Sequence, residues 1–182
     1  MTAKGNGCMV ETATVPVRVG PAESAIRLIV RADTTAAATI GMAIGVLLGT
    51  APCRAVVVRD RAALWLGPDE WLVLAPESES ALAQQPLAAP GSVVDVSHAY
   101  VGIEVSGPRA AWCINAFNAL DLDPHVFPVG ACTRTLFGKV EIVLWRSDAE
   151  TFRIEVTRSH APYVRRCLEE ACREFLPAPG AC

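Results

Sequence analysis

Charged residues are scarce in this chain. Asp, Glu, Lys and Arg make up 19% of its 182 residues, against roughly 25% in an average soluble domain. With 52% apolar residues, the deficit fits either an alanine-rich compact core or a surface partly covered by other proteins. A net charge of −3 offers no basic field to a nucleic-acid backbone, so that class of partner is not expected. The 7 cysteines are Cys8, Cys53, Cys113, Cys132, Cys167, Cys172 and Cys182. They contain no CxxC pair, and neither they nor the histidines have zinc-site spacing. Cys167 and Cys172, five apart, would face different sides of a helix. Free buried thiols in a reducing cytoplasm are therefore expected.

Other absences narrow the chemistry. No GxGxxG opens a helix after a strand, and there is no P-loop and no HExxH, so a nucleotide or zinc-peptidase site on this chain is not expected. The first twenty residues contain Lys4, Glu11 and Arg18 with no unbroken apolar core, which is not the pattern of a secretory signal. Nothing repeats at 20 to 50 residues. One uncharged run, between Asp33 and Arg54, places Gly41, Gly45 and Gly49 four apart, a spacing that lets transmembrane helices approach closely. Its strongly hydrophobic part, Ile40 to Leu48, covers less than half of the roughly 20 residues a bilayer requires. A buried helix, closed by Thr50-Ala51-Pro52 and close against a sheet through its glycines, is the better reading.

What is present is alternation. Residues 1–12 have no period and read as disordered or loosely attached. Val15, Val17 and Val19 alternate before a Gly20-Pro21 turn. Ile26, Leu28 and Val30 share one face of a strand, with Arg27 and Arg31 on the other. Val56 to Val58 and Leu72 to Leu74 read as largely buried strands. Between them Trp65 and Trp71 flank a turn at Gly67, Pro68 and Asp69. Glu77 to Gln85 fits a short helix and Pro86 to Gly91 a linker, so residues 13–90 form an N-terminal part and 91–176 a C-terminal part of one unit. In the second part Val93 to Val96 and then Val101, Ile103 and Val105 form strands. A helix follows, with Ala111, Ile114, Phe117 and Leu120 toward the core. Three strands come next, Cys132 to Phe137, Val140 to Arg146 and Thr151 to Thr157. The last has Phe152, Ile154 and Val156 inward and Arg153, Glu155 and Thr157 outward. Ser159 or His160 caps a final helix whose buried stripe is Val164, Leu168, Ala171 and Phe175; residues 177–182 are a tail. The expected fold class is α+β, a mixed or antiparallel sheet with helices packed on it.

No catalytic constellation emerges. Asp95, Ser97 and His98 suggest a triad, but neighbours on a strand point to opposite faces and cannot converge. His125 and His160 stand alone in a loop and at a helix cap, and the Glu169-Glu170 and Asp121/Asp123 pairs read as solvated. Cys113 or Cys132 would be a nucleophile only with a histidine to lower its pKa.

Four separated segments, ALWLGPDEWLVLAP, VVDVSHAYVGIEVSGPRA, CTRTLFGKVEIVLWR and FRIEVTRSHAPYVRRCLEEA, together resemble the gamma subunit of heterotetrameric sarcosine oxidases from about Ala63 to Phe175. The small subunit of bacterial N-methylglutamate dehydrogenase is similar. More distantly, DVSHAYVGIEVSGPRA, GACTRTLFGKV and FRIEV resemble the folate-binding domain of glycine-cleavage aminomethyltransferases, which implies a similar fold. The catalytic aspartate of those enzymes follows the glycine of a strand. Here that run is Gly138, Lys139, Val140, Glu141, which leaves Glu141 as the nearest carboxylate.

The resemblance implies a cytoplasmic complex with alpha, beta and delta partners that oxidises the N-methyl group of sarcosine. Glycine and hydrogen peroxide are the products, and the one-carbon unit leaves as formaldehyde or methylene-tetrahydrofolate. It also implies that FAD, FMN, NAD, tetrahydrofolate and zinc sit on other subunits, with this chain non-catalytic. Trp65, Trp71, Trp112, Phe127 and Trp145 are the candidate interface residues, because aromatic side chains anchor interfaces. A stand-alone folate-binding or transferase role using Glu141, and a membrane-tethered adaptor, are the alternatives.

Overall fold

The computed structural model describes residues 16–84, 87 and 89–175; the expectations for residues 1–12, Val15, Pro86 and the tail fall outside these. Among the described residues, ten strands make two five-stranded sheets in which every ladder is antiparallel. One sheet runs β1 (Arg18–Pro21), β7 (Tyr100–Ser106), β10 (Thr151–Thr157), β9 (Val140–Asp148), β8 (Cys132–Phe137). The other runs β3 (Ala55–Val58), β4 (Arg61–Gly67), β5 (Glu70–Ala75), β2 (Ile26–Arg31), β6 (Ser92–Asp95). The division between sheets does not follow the linker near Pro90. β1 pairs with β7 of the later half, and β6 pairs with β2 of the earlier half.

Three apolar layers follow from strand alternation. On the outer face of the second sheet, Leu28, Val30, Ala63, Trp71 and Val73 meet α1 (Thr34–Ile44). On the outer face of the first, Ile103, Val105, Ile142, Leu144, Phe152, Ile154 and Val156 form one cluster with Ile114 of α2 (Ala110–Asn115) and Val164 and Leu168 of α3 (Ala161–Cys172). Between the sheets, Ala62, Leu64, Leu72 and Leu74 face Cys132 and Val143. Each fully buried Leu, Ile or Phe contributes about 1.5–3 kcal/mol. The two sheets also join at their rims, where the Ala55 N–H donates to Gly130 O at 2.8 Å and the Cys132 N–H to Cys53 O at 3.0 Å.

Several elements differ from the sequence reading, each for a local reason. α1 ends at Ile44, well before Pro52, because Gly45 takes the left-handed conformation (φ 70°) and its N–H closes onto Gly41 and Met42 carbonyls. The side chain of Asp33 caps its start, accepting from the Ala36 N–H at 2.7 Å. Gly41 admits the chain's own return rather than the sheet: a Cβ there would lie 2.8 Å from Val46 O. α2 stops at Asn115, short of Leu120, and the side chain of Asn115 takes over as donor to the carbonyls of Asn118 and Leu120. β3 is an edge strand, so Val57 and Val58 are exposed where burial was expected. His160 occupies the cap position of α3 without a capping bond; its Nδ1 lies 2.8 Å from Thr157 Oγ1. The outward assignment of Glu155 is overturned as well: it is 0% exposed, because the face of β10 expected to meet water meets the second sheet.

Candidate interaction surface

The five candidate aromatics separate on burial. Trp71 is core rather than surface: it is 0% exposed under α1, and its Nε1 donates to Gly49 O at 2.8 Å. Phe127 is also core, held by the loop around it: Nη1 of the buried Arg146 donates to the carbonyls of Phe127 (2.9 Å) and Leu122 (3.1 Å). These two residues cannot anchor a partner through their rings. Trp65 and Trp145 are half-buried, and each leaves its indole N–H buried without an acceptor. Trp65 stands directly across the β4–β5 ladder from Trp71.

Trp112 is the member that faces solvent, at 65% exposure. α2 places it at the position opposite its buried Cys113 and Ile114. The guanidinium of Arg109 sits 5.8 Å from its ring and 5.7 Å from that of Phe175, a cation–π arrangement that holds the indole in place. Beside it opens a shallow groove of about 600 Å³ whose walls include Pro108, Leu122, Pro124 and Phe152. Val126 and Val129, from the neighbouring loop, are exposed too. Composition hinted at a covered surface, but periodicity had no means of finding Val126 and Val129 in a segment without secondary structure.

The residues considered for chemistry are not brought together. Asp95 accepts the Ser97 N–H at 2.8 Å, and Ser97 Oγ accepts the Arg27 N–H at 2.8 Å, so both serve a turn beside the sheet. The Ser97 hydrogen bonds hold the Asp95 carboxyl below the usual carboxylate range. Burial pushes the thiols of Cys113 and Cys132 up to about 12, the reverse of nucleophile activation. Cys113 faces Cys172 at 3.3 Å, and Cys132 donates to Trp65 O at 3.6 Å; neither meets a histidine. His125 is bound to Asp123, whose carboxyl the His125 N–H holds below its ordinary value. Glu141 is largely exposed, 3.5 Å from Nε of Arg134, at the edge of a small depression with Tyr100, Lys139 and His160. A solvated carboxylate paired to an arginine is a surface ion pair. Among the described residues no three His, Cys, Asp or Glu side chains group as metal ligands, and no helix is long and apolar enough to cross a membrane.

Two antiparallel sheets face to face, with helices on both outer faces, define an α+β fold. The glycine-cleavage aminomethyltransferase T of Bartonella henselae shares this fold with a TM-score of 0.61 at 12% identity, over 85% of this chain and 46% of that one. Residues 30–174 match the family described as Sarcosine oxidase, gamma subunit family, and the chain belongs to that family. A sarcosine oxidase subunit gamma from Corynebacterium sp. (strain P-1) is 34% identical over 128 residues, 68% of this chain. The matched stretch spans 63% of that relative, less than two thirds of its length. A chain of the heterotetrameric sarcosine oxidase from Corynebacterium sp. U-96, solved with pyrrole 2-carboxylate, superposes with a TM-score of 0.83 at 31% identity. That similarity covers 91% of this chain and 88% of the other.

Proposed function

We propose that this chain is the gamma subunit of a cytoplasmic, heterotetrameric sarcosine oxidase and acts there as a structural, non-catalytic component. The observation that carries the proposal is the superposition, over nine tenths of the chain, on a subunit of such a heterotetramer. Partners are the alpha, beta and delta subunits. The assembled enzyme demethylates sarcosine oxidatively to glycine with hydrogen peroxide, and releases formaldehyde or passes the carbon to tetrahydrofolate. FAD, FMN, NAD, tetrahydrofolate and zinc belong to the other subunits. Residues 13–90 and 91–176 act as two parts of one folate-domain-like unit, and the exchange of β1 and β6 between the sheets supports treating them together.

The site residues support a non-catalytic role. Glu141 is solvated and ion-paired, and the thiols are raised by burial. Trp112, exposed on a short helix beside a groove of mixed polar and apolar lining, is the proposed anchor for a partner, with Trp65 and Trp145 as half-buried contributors. The test is co-expression with alpha, beta and delta subunits of such an oxidase. A stable complex that oxidises sarcosine, and that loses assembly when this chain is omitted, is the expected result. A chain that stays monomeric in the presence of those subunits refutes the proposal.

A further inference from the structure

The exposed indole of Trp112 shares its groove with carboxylates. Three segments build the walls: α2 with the residues before it, which brings Trp112 and Asn115; the loop carrying Asp123 and Pro124; and the β9–β10 turn carrying Glu150. Oδ1 of Asp123 accepts the His125 N–H at 2.8 Å and lies 2.9 Å from Nδ1 of the same residue, and the Asp123 side chain is 53% exposed. Among the described residues, Oδ2 of Asp123 and both carboxylate oxygens of the exposed Glu150 have no hydrogen-bond partner. Asn115 commits Nδ2 to the carbonyls of Asn118 and Leu120, which leaves its Oδ1 as a further acceptor.

The positive charges nearby do not cancel these. Arg146, in the groove wall, is 5% exposed, and each of its three guanidinium nitrogens donates to a carbonyl of Ala149, Leu122 or Phe127. Arg109 stands outside the wall, against the rings of Trp112 and Phe175. Arg153, next to Phe152 in the chain, leaves β10 on the opposite face and donates to Glu155. The groove residues and their chain neighbours thus bring Asp121, Asp123, Asp148 and Glu150 against Arg109 and Arg146, and a protonated His125 would leave the sum negative.

An aromatic face bordered by free carboxylate oxygens selects among side chains. An apolar group seated there would strip water from Asp123 and Glu150 without replacing its hydrogen bonds. A lysine ammonium would answer the charge alone. A guanidinium is planar, stacks on an indole and donates in a fork to carboxylates. We propose that this groove receives an arginine side chain presented by a partner subunit, its guanidinium set against Trp112 and hydrogen-bonded to Asp123 and Glu150. The partner rests on the oxidase-subunit reading above; the preference for a cation does not.

The full 15N-labelled chain is titrated with the peptide acetyl-Gly-Arg-Gly-amide and with its citrulline counterpart, whose uncharged ureido group has the shape of a guanidinium. The indole N–H resonance of Trp112, assigned by its loss in Trp112→Phe, should move saturably with the arginine peptide. The citrulline peptide should bind at least about tenfold more weakly, a 1.4 kcal/mol difference. Affinity for arginine should fall as salt rises from about 0.01 M to about 0.1 M and the Debye length contracts from about 30 Å to about 10 Å. Asp123→Asn with Glu150→Gln should cost the arginine peptide the same tenfold and leave the citrulline peptide unchanged. Both positions are exposed, and asparagine keeps the oxygen that accepts the His125 N–H, so the fold is retained. Equal binding of the two peptides, binding of neither, or unchanged affinity in the double variant overturns the site.

In a complex assembled with alpha, beta and delta subunits, the groove should be closed to the arginine peptide. The double variant should assemble at least about tenfold less tightly. A groove still open after assembly overturns the partner arginine. So does a free chain that dimerises and is returned to monomer by Trp112→Ala, which would make a second copy the occupant. If the chain does not assemble, the subunit reading fails and takes the partner with it, while the titration still decides whether the groove takes a cation.

Discussion

Glu155 of β10 reaches across the gap between the sheets to Nε of Arg27 on β2, at 2.5 Å, and the two residues are 128 positions apart in the chain. Gly102, directly across the ladder from Glu155, leaves room for the contact: a Cβ there would lie 2.9 Å from Glu155 Oε1 and 3.0 Å from Arg27 Nη2.

Nε of Arg153 donates to the same carboxylate at 2.7 Å, and removing the carboxylate should be far costlier than removing all three charged groups. Glu155→Ala leaves two guanidinium groups buried without their acceptor, and chemical denaturation should show a loss of about 3–5 kcal/mol. A triple replacement, Arg27→Met, Glu155→Leu and Arg153→Met, should recover most of that loss, since well-packed apolar groups often match or exceed a buried ion cluster in stability. Equal destabilisation by the single and triple variants would show that packing, rather than charge, holds this layer.

The termini of α1 set its length. Asp33→Ala removes the acceptor for the Ala36 N–H and should lower stability by about 1 kcal/mol. Gly45→Ala forces a side chain into the left-handed region, at about 1–2 kcal/mol, and brings its Cβ within 1.8 Å of Arg61 Nη1. Thermal melts of the two variants should rank the glycine change as the more severe.

Alkaline stability should reflect the buried thiols. Burial raises Cys113 and Cys132 from an ordinary value near 9 to about 12. The unfolded chain therefore loses these protons first. Their contribution is complete below the unfolded pKa and declines as pH rises from there toward 12. Denaturation curves between pH 8 and 11 should show this fall, and Cys132→Ala should flatten it. At neutral pH, with Cys8 and Cys182 replaced by serine, Cys53 should react first with a thiol reagent, because it is exposed. Cys113, Cys132 and Cys172 should react only on unfolding.

Trp112→Ala tests the interaction surface. The indole is 65% exposed, so the unfolding free energy of the free chain should hold within the few tenths of a kcal/mol typical of surface changes. Affinity for the partner subunits should fall by about 30-fold, the loss of about 2 kcal/mol expected of an aromatic hot spot. Unchanged affinity would place the interface on another face.

Much of the architecture was readable from the chain itself. Period-two alternation located β2, β7 and β10, and the i, i+4 spacing of Val164 and Leu168 located α3 and its buried face. These are local signals, because the pleat and the helical turn are properties of neighbouring residues. Helix ends were misjudged where a single residue overrode the pattern, as Gly45 does in α1 and Asn115 beyond α2.

The sequence alone determined which residues alternate, where the turns fall and which family the four motifs resemble. Only tertiary structure decided what each strand's second face would meet. Alternation separates two faces of a strand but does not say whether the polar one meets water or another sheet, and for β10 it meets another sheet. That choice buried Glu155 with Arg27 and Arg153. Packing of α1 on the other sheet covered Trp71, and the loop around Arg146 took Phe127 into the core, while Trp112 stayed outside. These placements depend on contacts between distant segments that no local period encodes.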